Sequence, residues 1–219
     1  MVALNVTTLG KGRWGWLWWM FGAIVIVAST IYLLLFLYGG YLHGEKYATE
    51  DAVAYIESQK LTLADVRGDN LPPPPDAADT TLEGVDQNLN GIRDDVELAI
   101  FEMYPDDAKV RAAELQYAKA LQLELTNWIF NEETFVAVLL QGSRGHSCVY
   151  DTGPEVNLSM SQEEVEKRFA VGDGRVEEVE NLVFNTEKRK QKRDEVYGKY
   201  MTSHGDSEGP DCDIDLSVL

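Results

Sequence analysis

One uncharged stretch near the amino terminus constrains the fold of this chain more than any other feature. Residues 14–42, WGWLWWMFGAIVIVASTIYLLLFLYGGYL, contain no acidic or basic side chain. A membrane-spanning helix needs about 20 consecutive apolar residues, and the part from Leu17 to Leu37 is long enough. Tryptophans crowd one end and tyrosines the other, as is typical of helix ends in the headgroup layers. The pattern predicts a single transmembrane helix over residues 14–42.

A cleaved signal peptide is the alternative interpretation of this stretch. Its apolar core would be about 7–15 residues long and would precede a small-residue cleavage motif. The apolar run is longer than that, and no A-x-A motif follows it. We therefore expect an uncleaved anchor.

Flanking charges predict the orientation of the anchor. Lys11 and Arg13 precede it, and Lys46 alone follows it closely. Because positive flanks stay in the cytoplasm, we expect a cytoplasmic amino terminus in the plasma (inner) membrane. The rest of the chain is then periplasmic or extracellular.

The overall charge excludes one class of partner. The chain has 19 basic and 37 acidic residues, a net charge of −18. Such a surface repels nucleic acids and anionic headgroups, so we expect no nucleic-acid partner. The one basic run, KRKQKR at residues 188–193, is interpreted as a solvated helix segment; the alternative is a docking site for an acidic partner or for the chain's own acidic surface.

The order of segments predicts a tethered domain. TEDAVAYIESQK has helical spacing and either continues the anchor or follows a break near Gly39 and Gly40 or near Gly44. Pro72 to Pro75 favour a stiff polyproline II spacer. The predicted parts are a cytoplasmic tail (1–13), the transmembrane helix (14–42), a juxtamembrane helix with spacer (43–83), a helical domain (84–203) and an acidic carboxyl-terminal tail (204–219).

Residues 84–203 have mainly helical periodicity. DDVELAIFEMY, DDAKVRAAELQYAKALQLELTNWIF and EETFVAVLLQ each place apolar residues three to four apart. GSRGHSCVYDTGPEVN is predicted as a loop, with a possible short strand at 148–150, and Ser161 with Glu164 forms a capping box before the next helix. GRVEEVENLVFNTEKRKQKRDEVYGKYM is predicted as one long helix. The predicted fold class is therefore mainly α, a bundle of four or five helices.

Two cysteines, Cys148 and Cys212, leave several possibilities open. In an oxidising compartment they would form a disulfide, which would raise the free energy of unfolding by about 4 kcal/mol. They are equally compatible with two separate thiols. His146 lies two residues from Cys148, and a Cys–His pair can make a thiolate nucleophile, so a membrane-anchored hydrolase is an alternative function.

The segment DQNLNGIRDDVE, residues 86–97, has the spacing of a calcium ligand set. Calcium takes six to eight oxygen ligands, and a short loop can supply them from alternate positions around a central glycine. Gly91 occupies that centre. The predicted ligands are the side chains of Asp86, Asn88, Asn90, Asp94 and Glu97 and the main-chain carbonyl of Ile92.

This segment resembles the calcium loop of EF-hand proteins over its twelve residues. It differs in having Arg93 where EF-hands carry an aliphatic residue, and in following a proline-rich approach rather than a helix. It is more similar to the solitary loops of dockerin and thrombospondin type-3 modules, and this resemblance implies a structural calcium ion. The alternative is a turn rich in Asp and Asn that caps the helix at Asp94.

Together these features predict a membrane-anchored, extracytoplasmic calcium-binding protein. We expect a dissociation constant for calcium on the order of 10⁻⁴ to 10⁻³ M, as in extracellular modules. The order of anchor, spacer and domain favours a binding, assembly or accessory subunit of a cell-envelope complex, with another envelope protein as partner, over an enzyme. Calcium is the only cofactor predicted.

Overall fold

The computed structural model describes residues 11–153, 156–157, 159–207 and 209–219. Most of the predicted cytoplasmic tail, residues 1–10, lies outside them. The described residues are 66% helix and contain no strand. The helices are α1 (Lys11–Ser58), α2 (Leu63–Arg67), α3 (Asp94–Met103), α4 (Ala108–Leu123), α5 (Glu132–Asp151), α6 (Gln162–Val183) and α7 (Glu187–Tyr200), followed by a 3-10 turn (Leu216–Val218).

Helix α1 contains the apolar stretch and continues past the three glycines near residue 40 without a break. By length and composition its apolar part could cross a membrane, a property that it shares with signal sequences near an amino terminus. None of the most apolar window is covered by protein. A helix that is apolar on all sides and uncovered needs an apolar environment, which a bilayer supplies.

The chain divides into two compact units, residues 1–48 and 49–219. The second unit begins well before the predicted domain start at residue 84. Ile56, Leu61 and Val66 belong to its core and are each less than 5% exposed. Part of the predicted juxtamembrane segment (43–83) therefore belongs to the folded unit.

Helix α4 is the central helix of the second unit. Every residue from Val110 to Leu123 is buried, and α2, α3, α5 and α6 all contact this helix. Asp107 caps its amino terminus by accepting a hydrogen bond from the Val110 amide at 3.0 Å. So complete a burial places several charged side chains of α4 in the interior, and these must find partners or lose their charge.

Helix α5 extends ten residues beyond the predicted one and includes most of the predicted loop. The possible strand at 148–150 is helical. The cause is a close approach to α4: a Cβ atom at Gly145 would lie 2.8 Å from the Tyr117 Cα. Glycine, which reads as a loop signal in the sequence, is here the residue that lets two helices pack closely.

Helices α6 and α7 replace the single long helix predicted before Met201. The capping box at Ser161 and Glu164 is present, as predicted, at the start of α6. Helix α6 ends at Val183, and the Thr186 side chain starts α7 by accepting a hydrogen bond from the Arg189 amide. Arg189, inside the basic run, is 1% exposed, so that part of the run is not solvated as predicted.

The predicted acidic tail is attached to α5 by a disulfide and by the side chain of Arg144. Cys148 Sγ forms a disulfide with Cys212 Sγ, which joins positions 64 residues apart. The Arg144 guanidinium, 7% exposed, pairs with Asp213 at 2.8 Å and donates to the Pro210 carbonyl at 3.0 Å. Ile214 is also buried, so this segment is part of the folded unit.

Glu114 on α4 is a buried carboxyl. It is 0% exposed, and neither of its oxygens has a hydrogen-bond partner among the described residues. Burial raises the pKa of Glu114 to about 8; the nearby Tyr104 and Arg175 oppose this rise, and Glu178 and Asp107 add to it. In the unfolded chain the same carboxyl has its ordinary pKa near 4.5. Below pH 4.5 the carboxyl is protonated in both the folded and the unfolded state, so its ionisation does not destabilise the fold. As the pH rises from 4.5 towards 8, only the unfolded state ionises, and the free energy of unfolding falls.

We therefore expect Glu114→Gln to stabilise the protein at alkaline pH. At pH 8 the variant should exceed the wild type by up to about 4 kcal/mol, and the difference should shrink as the pH falls to about 5. Melting temperatures of the full chain in detergent across this pH range check it. Glu102→Gln, at an exposed position of α3, is the control and should leave the profile unchanged. Parallel profiles for wild type and Glu114→Gln would contradict the expectation.

Candidate metal-binding loop

The predicted loop is a tight turn that leads into α3. Gly91 has a φ of 84° and Leu89 a φ of 57°, both in the left-handed region that favours glycine. A Cβ atom at Gly91 would lie 3.2 Å from the Lys119 Cε of α4. The central glycine is thus required by both its conformation and its close packing.

Asp86 holds this turn closed. Its Oδ2 accepts a hydrogen bond from the Gly91 amide at 2.9 Å, and its Oδ1 accepts one from the Asn90 amide at 3.2 Å. Burial raises the pKa of Asp86, and these main-chain hydrogen bonds oppose the rise. The first predicted ligand therefore lies inside the turn, where its carboxylate faces the loop.

Glu97 is a second buried carboxylate in the cluster around this turn. It is 1% exposed, and its two oxygens accept hydrogen bonds from the Asn88 and Asn90 side-chain amides, each at 2.9 Å. Burial raises the pKa of Glu97 to about 7. Within the described part of the chain, no lysine, arginine or histidine forms an ion pair with Glu97 or Asp86.

The remaining two predicted ligands have other contacts. Asp94 is 0% exposed, and its oxygens accept hydrogen bonds from the main-chain and side-chain nitrogens of Gln87 at 2.9 and 2.8 Å. The Ile92 side chain lies in the core, and its amide donates to Asn90 Oδ1 at 2.8 Å. The structure thus clusters Asp86, Asn88, Asn90 and Glu97, whereas Asp94 closes the loop through Gln87.

Arg93 fixes the loop to α6, a contact that no pattern in the sequence indicates. Its guanidinium is completely buried and donates to the Val183 and Leu182 carbonyls at 3.0 and 2.8 Å. These carbonyls belong to the last turn of α6, where helices leave acceptors unpaired. The guanidinium also pairs with Asp95, with one Nη2–Oδ2 distance of 2.9 Å. The position that departs from the EF-hand pattern therefore has a structural role.

Gly84 makes room for Arg93. A Cβ atom at Gly84 would lie 2.1 Å from the Arg93 Cδ, a distance at which the two atoms would clash. Gly84 also has a φ of 74°, which other residues resist. The glycine two residues before the loop is thus explained by the buried arginine.

Arg189 of α7 holds the segment that approaches the loop. Its guanidinium donates to the Leu82 and Ala78 carbonyls, each at 2.9 Å, and pairs with Asp79 at 2.5 Å. A buried arginine with several carbonyl acceptors keeps an irregular segment in one conformation. Two buried arginines therefore hold this part of the chain. Arg93 fixes the loop to α6, and Arg189 fixes the segment before the loop to α7.

The donor set of the loop suits a hard cation better than a soft one. The described residues contain no group of three or more His, Cys, Asp or Glu side chains placed to hold a metal ion. The cluster consists instead of two carboxylates and two amides. Carboxylate and amide oxygens suit calcium, whereas zinc and copper favour nitrogen and sulfur ligands. Because the Asn88 and Asn90 amide nitrogens face Glu97, a cation requires a half-turn of each amide to present its oxygen.

The alternative catalytic pair is not arranged for nucleophilic catalysis. Cys148 is 1% exposed and its sulfur is bonded to Cys212, so it carries no thiol in this structure. The exposed His146 ring packs against the rings of Tyr117 and Tyr150, at centroid distances of 6.0 and 5.1 Å. This arrangement does not place the imidazole beside a thiol.

Comparison with known proteins gives no family for the chain: no family model, curated protein or solved structure matches it. The functional proposal therefore rests on the residues of this chain.

Proposed function

We propose that this chain is a single-pass membrane protein that binds a calcium ion in the loop at residues 86–97 and acts as an accessory or assembly subunit of a cell-envelope complex. One observation carries the proposal. The carboxylate of Glu97 is 1% exposed and contacts only neutral amides among its hydrogen-bond donors, within a loop that has calcium spacing.

A bound cation would resolve the energetic problem of Glu97. A buried carboxylate without a positive partner is costly and tends to take up a proton. Calcium beside Glu97 and Asp86 supplies that positive charge. The ligands are then Asp86, Asn88, Asn90, Glu97 and the Ile92 carbonyl, with Asp94 as a support of the loop through Gln87.

Three features support an extracytoplasmic location for residues 49–219. The disulfide between Cys148 and Cys212 is typical of oxidising compartments. The positive flank of α1 at Lys11 and Arg13 favours a cytoplasmic amino terminus. A site with two neutral amide ligands binds calcium at about 10⁻⁴ to 10⁻³ M, which suits millimolar calcium outside cells.

The role in an assembly is supported by the order of the chain. A membrane segment attaches a compact, disulfide-bonded helical unit, which keeps that unit close to other envelope proteins. The net charge of −18 favours partners with basic surfaces and opposes nucleic acids.

Calcium titration tests the proposal. We expect 5 mM calcium to stabilise the full chain in detergent by about 1.4 kcal/mol relative to chelator, since this concentration is some tenfold above the expected Kd. For a unit of this size the melting temperature should rise by about 3–6 °C. Asp86→Asn and Glu97→Gln preserve the shape of the loop and remove one charge each, and both variants should lose the response.

Two controls make the result specific. Asp76→Asn, exposed and outside the loop, should keep the full calcium response. Magnesium at 5 mM should give a smaller shift, because it loses its hydration water reluctantly. The proposal is wrong if the wild type melts at the same temperature in calcium and in chelator.

A further inference from the structure

A polar cleft lies between α4, α5 and α7, away from the loop at residues 86–97. It encloses about 390 Å³, within the size range of ligand-binding sites. The charged and aromatic residues among those that line it are Tyr117, Glu124, His146, Arg193, Tyr197 and Asp206. We refer to it as the α4–α7 cleft.

Glu124 is the buried acid of the α4–α7 cleft. It is 3% exposed, and its Oε1 accepts a hydrogen bond from the Tyr197 hydroxyl at 3.1 Å. Its Oε2 is buried and has no hydrogen-bond partner among the described residues. Because burial removes water, the pKa of Glu124 is raised to about 7. The cleft therefore has a buried carboxylate oxygen in its wall that makes no hydrogen bond within the described part of the chain, and the charged group nearest to it is the Arg193 guanidinium.

Arg193 is the cation already present, and it is shared between two acids. Its Nε lies 3.5 Å from Glu124 Oε2, and both terminal nitrogens donate to Glu180 at 3.3 Å. Its guanidinium also stacks over the Phe184 ring at 4.6 Å. With Asp206 at the rim, the acids around the cleft exceed this single arginine. The local charge therefore favours a second cation.

The walls of the α4–α7 cleft are aromatic. Tyr117 is 4% exposed, and its hydroxyl donates to Glu180 at 2.8 Å. The exposed His146 ring meets the Tyr117 ring edge to face, with centroids 6.0 Å apart. Aromatic faces beside a buried carboxylate are the combination that recognises ammonium and guanidinium groups.

We propose that the α4–α7 cleft receives a lysine or arginine side chain of a protein partner. The cationic end of that side chain contacts Glu124 Oε2, and its hydrocarbon part lies against Tyr117 and His146. This deepens the proposed binding role and rests on it for the nature of the partner. The net charge of −18 attracts such a basic partner over longer distances.

Histidine resonances give a direct test, because the chain has only three histidines. The full chain, labelled with ¹³C-histidine in detergent, is titrated with N-acetyl-lysine-N-methylamide in the presence of chelator. His146→Gln assigns the relevant signal. We expect the His146 signal alone to shift and to saturate, whereas the Nε-acetylated analogue, which lacks the charge, causes at most a tenth of the shift.

Variants identify the recognising acid. Glu124→Gln should weaken binding at least tenfold, and Asp206→Asn, at an exposed position that leaves folding intact, about twofold to threefold. Glu132→Gln, exposed at the start of α5, makes the same change of net charge and should bind as the wild type does.

Several outcomes would overturn the inference. They are an unchanged His146 signal, an equal shift with the acetylated analogue, or equal weakening by Glu124→Gln and Glu132→Gln. Loss of calcium binding in the melting experiment leaves this titration unaffected, since it is done in chelator. The two proposals therefore fail separately.

Discussion

Replacing Arg93 with alanine is expected to lower the free energy of unfolding by about 4 kcal/mol. The guanidinium is completely buried and donates to two carbonyls at the end of α6. The substitution leaves both acceptors without donors and removes the cation that pairs with Asp95. Loss of one partner of a buried charged group typically costs about 3–5 kcal/mol.

Urea unfolding of the full chain in detergent measures this effect, as a lower midpoint with an unchanged slope. Arg93→Lys keeps the charge but lacks the planar fork, so it should lose about half as much stability. Arg67→Ala, at an exposed position of α2, is the control and should change the stability by less than about 0.5 kcal/mol. If Arg93→Ala and Arg67→Ala had equal midpoints, the anchoring role of Arg93 would be disproved.

Arg93 also shows why the sequence predicts this site only in part. The spacing of the predicted ligands marked residues 86–97 as a candidate calcium loop, because calcium ligands recur at fixed positions around a glycine. Nothing in the pattern indicated that a charged residue between Ile92 and Asp94 would be buried against α6. Such burial depends on acceptors 90 residues away, which no local rule describes. Arg189 is a similar case, since its carbonyl acceptors lie more than 100 residues earlier.

The clustering of the predicted ligands could be anticipated to the same degree. Asp86, Asn88, Asn90 and Glu97 cluster as the spacing predicts, because one tight turn brings alternate residues to the same side. Asp94 instead accepts two hydrogen bonds from Gln87. Gln87 can reach it because the turn folds the start of the loop back on α3, and periodicity does not describe this contact.

Helices with regular apolar spacing were predictable, and those whose ends depend on tertiary contacts were not. The capping box at Ser161 locates the start of α6 from local chemistry alone. Helix α5 was predicted too short because Gly142 and Gly145 indicate a loop, whereas packing against α4 uses the second glycine as a contact point. The place of Ile56, Leu61 and Val66 in the core was not predicted, because these apolar residues are sparse in the sequence and their burial depends on the rest of the unit.

The disulfide is the second bond whose loss should have a large effect. Changing both Cys148 and Cys212 to serine is expected to lower the free energy of unfolding by about 4 kcal/mol, because the bond closes a loop of 64 residues in sequence. In a unit of this size the melting temperature falls by about 8–16 °C. The double variant also replaces a buried sulfur on α5, at 1% exposure, with a hydroxyl.

Comparison with the reduced wild type separates these two effects. If the cross-link dominates, the reduced wild type and the double serine variant should melt within about 3 °C of each other, both well below the oxidised protein. A cysteine-to-alanine pair provides a further control, since it adds no buried hydroxyl. Oxidised and reduced wild type melting together would contradict a stabilising role for the bond.

The same cysteines report the location of the second unit in living cells. An extracytoplasmic unit should form the disulfide during export, so a thiol-reactive maleimide should label the chain only after reduction. A version whose amino-terminal residues 1–48 are deleted would remain in the reducing cytoplasm and should be labelled at once. Labelling of the full chain without prior reduction would place residues 49–219 in the cytoplasm, where calcium at resting concentrations is far below the Kd expected for the loop.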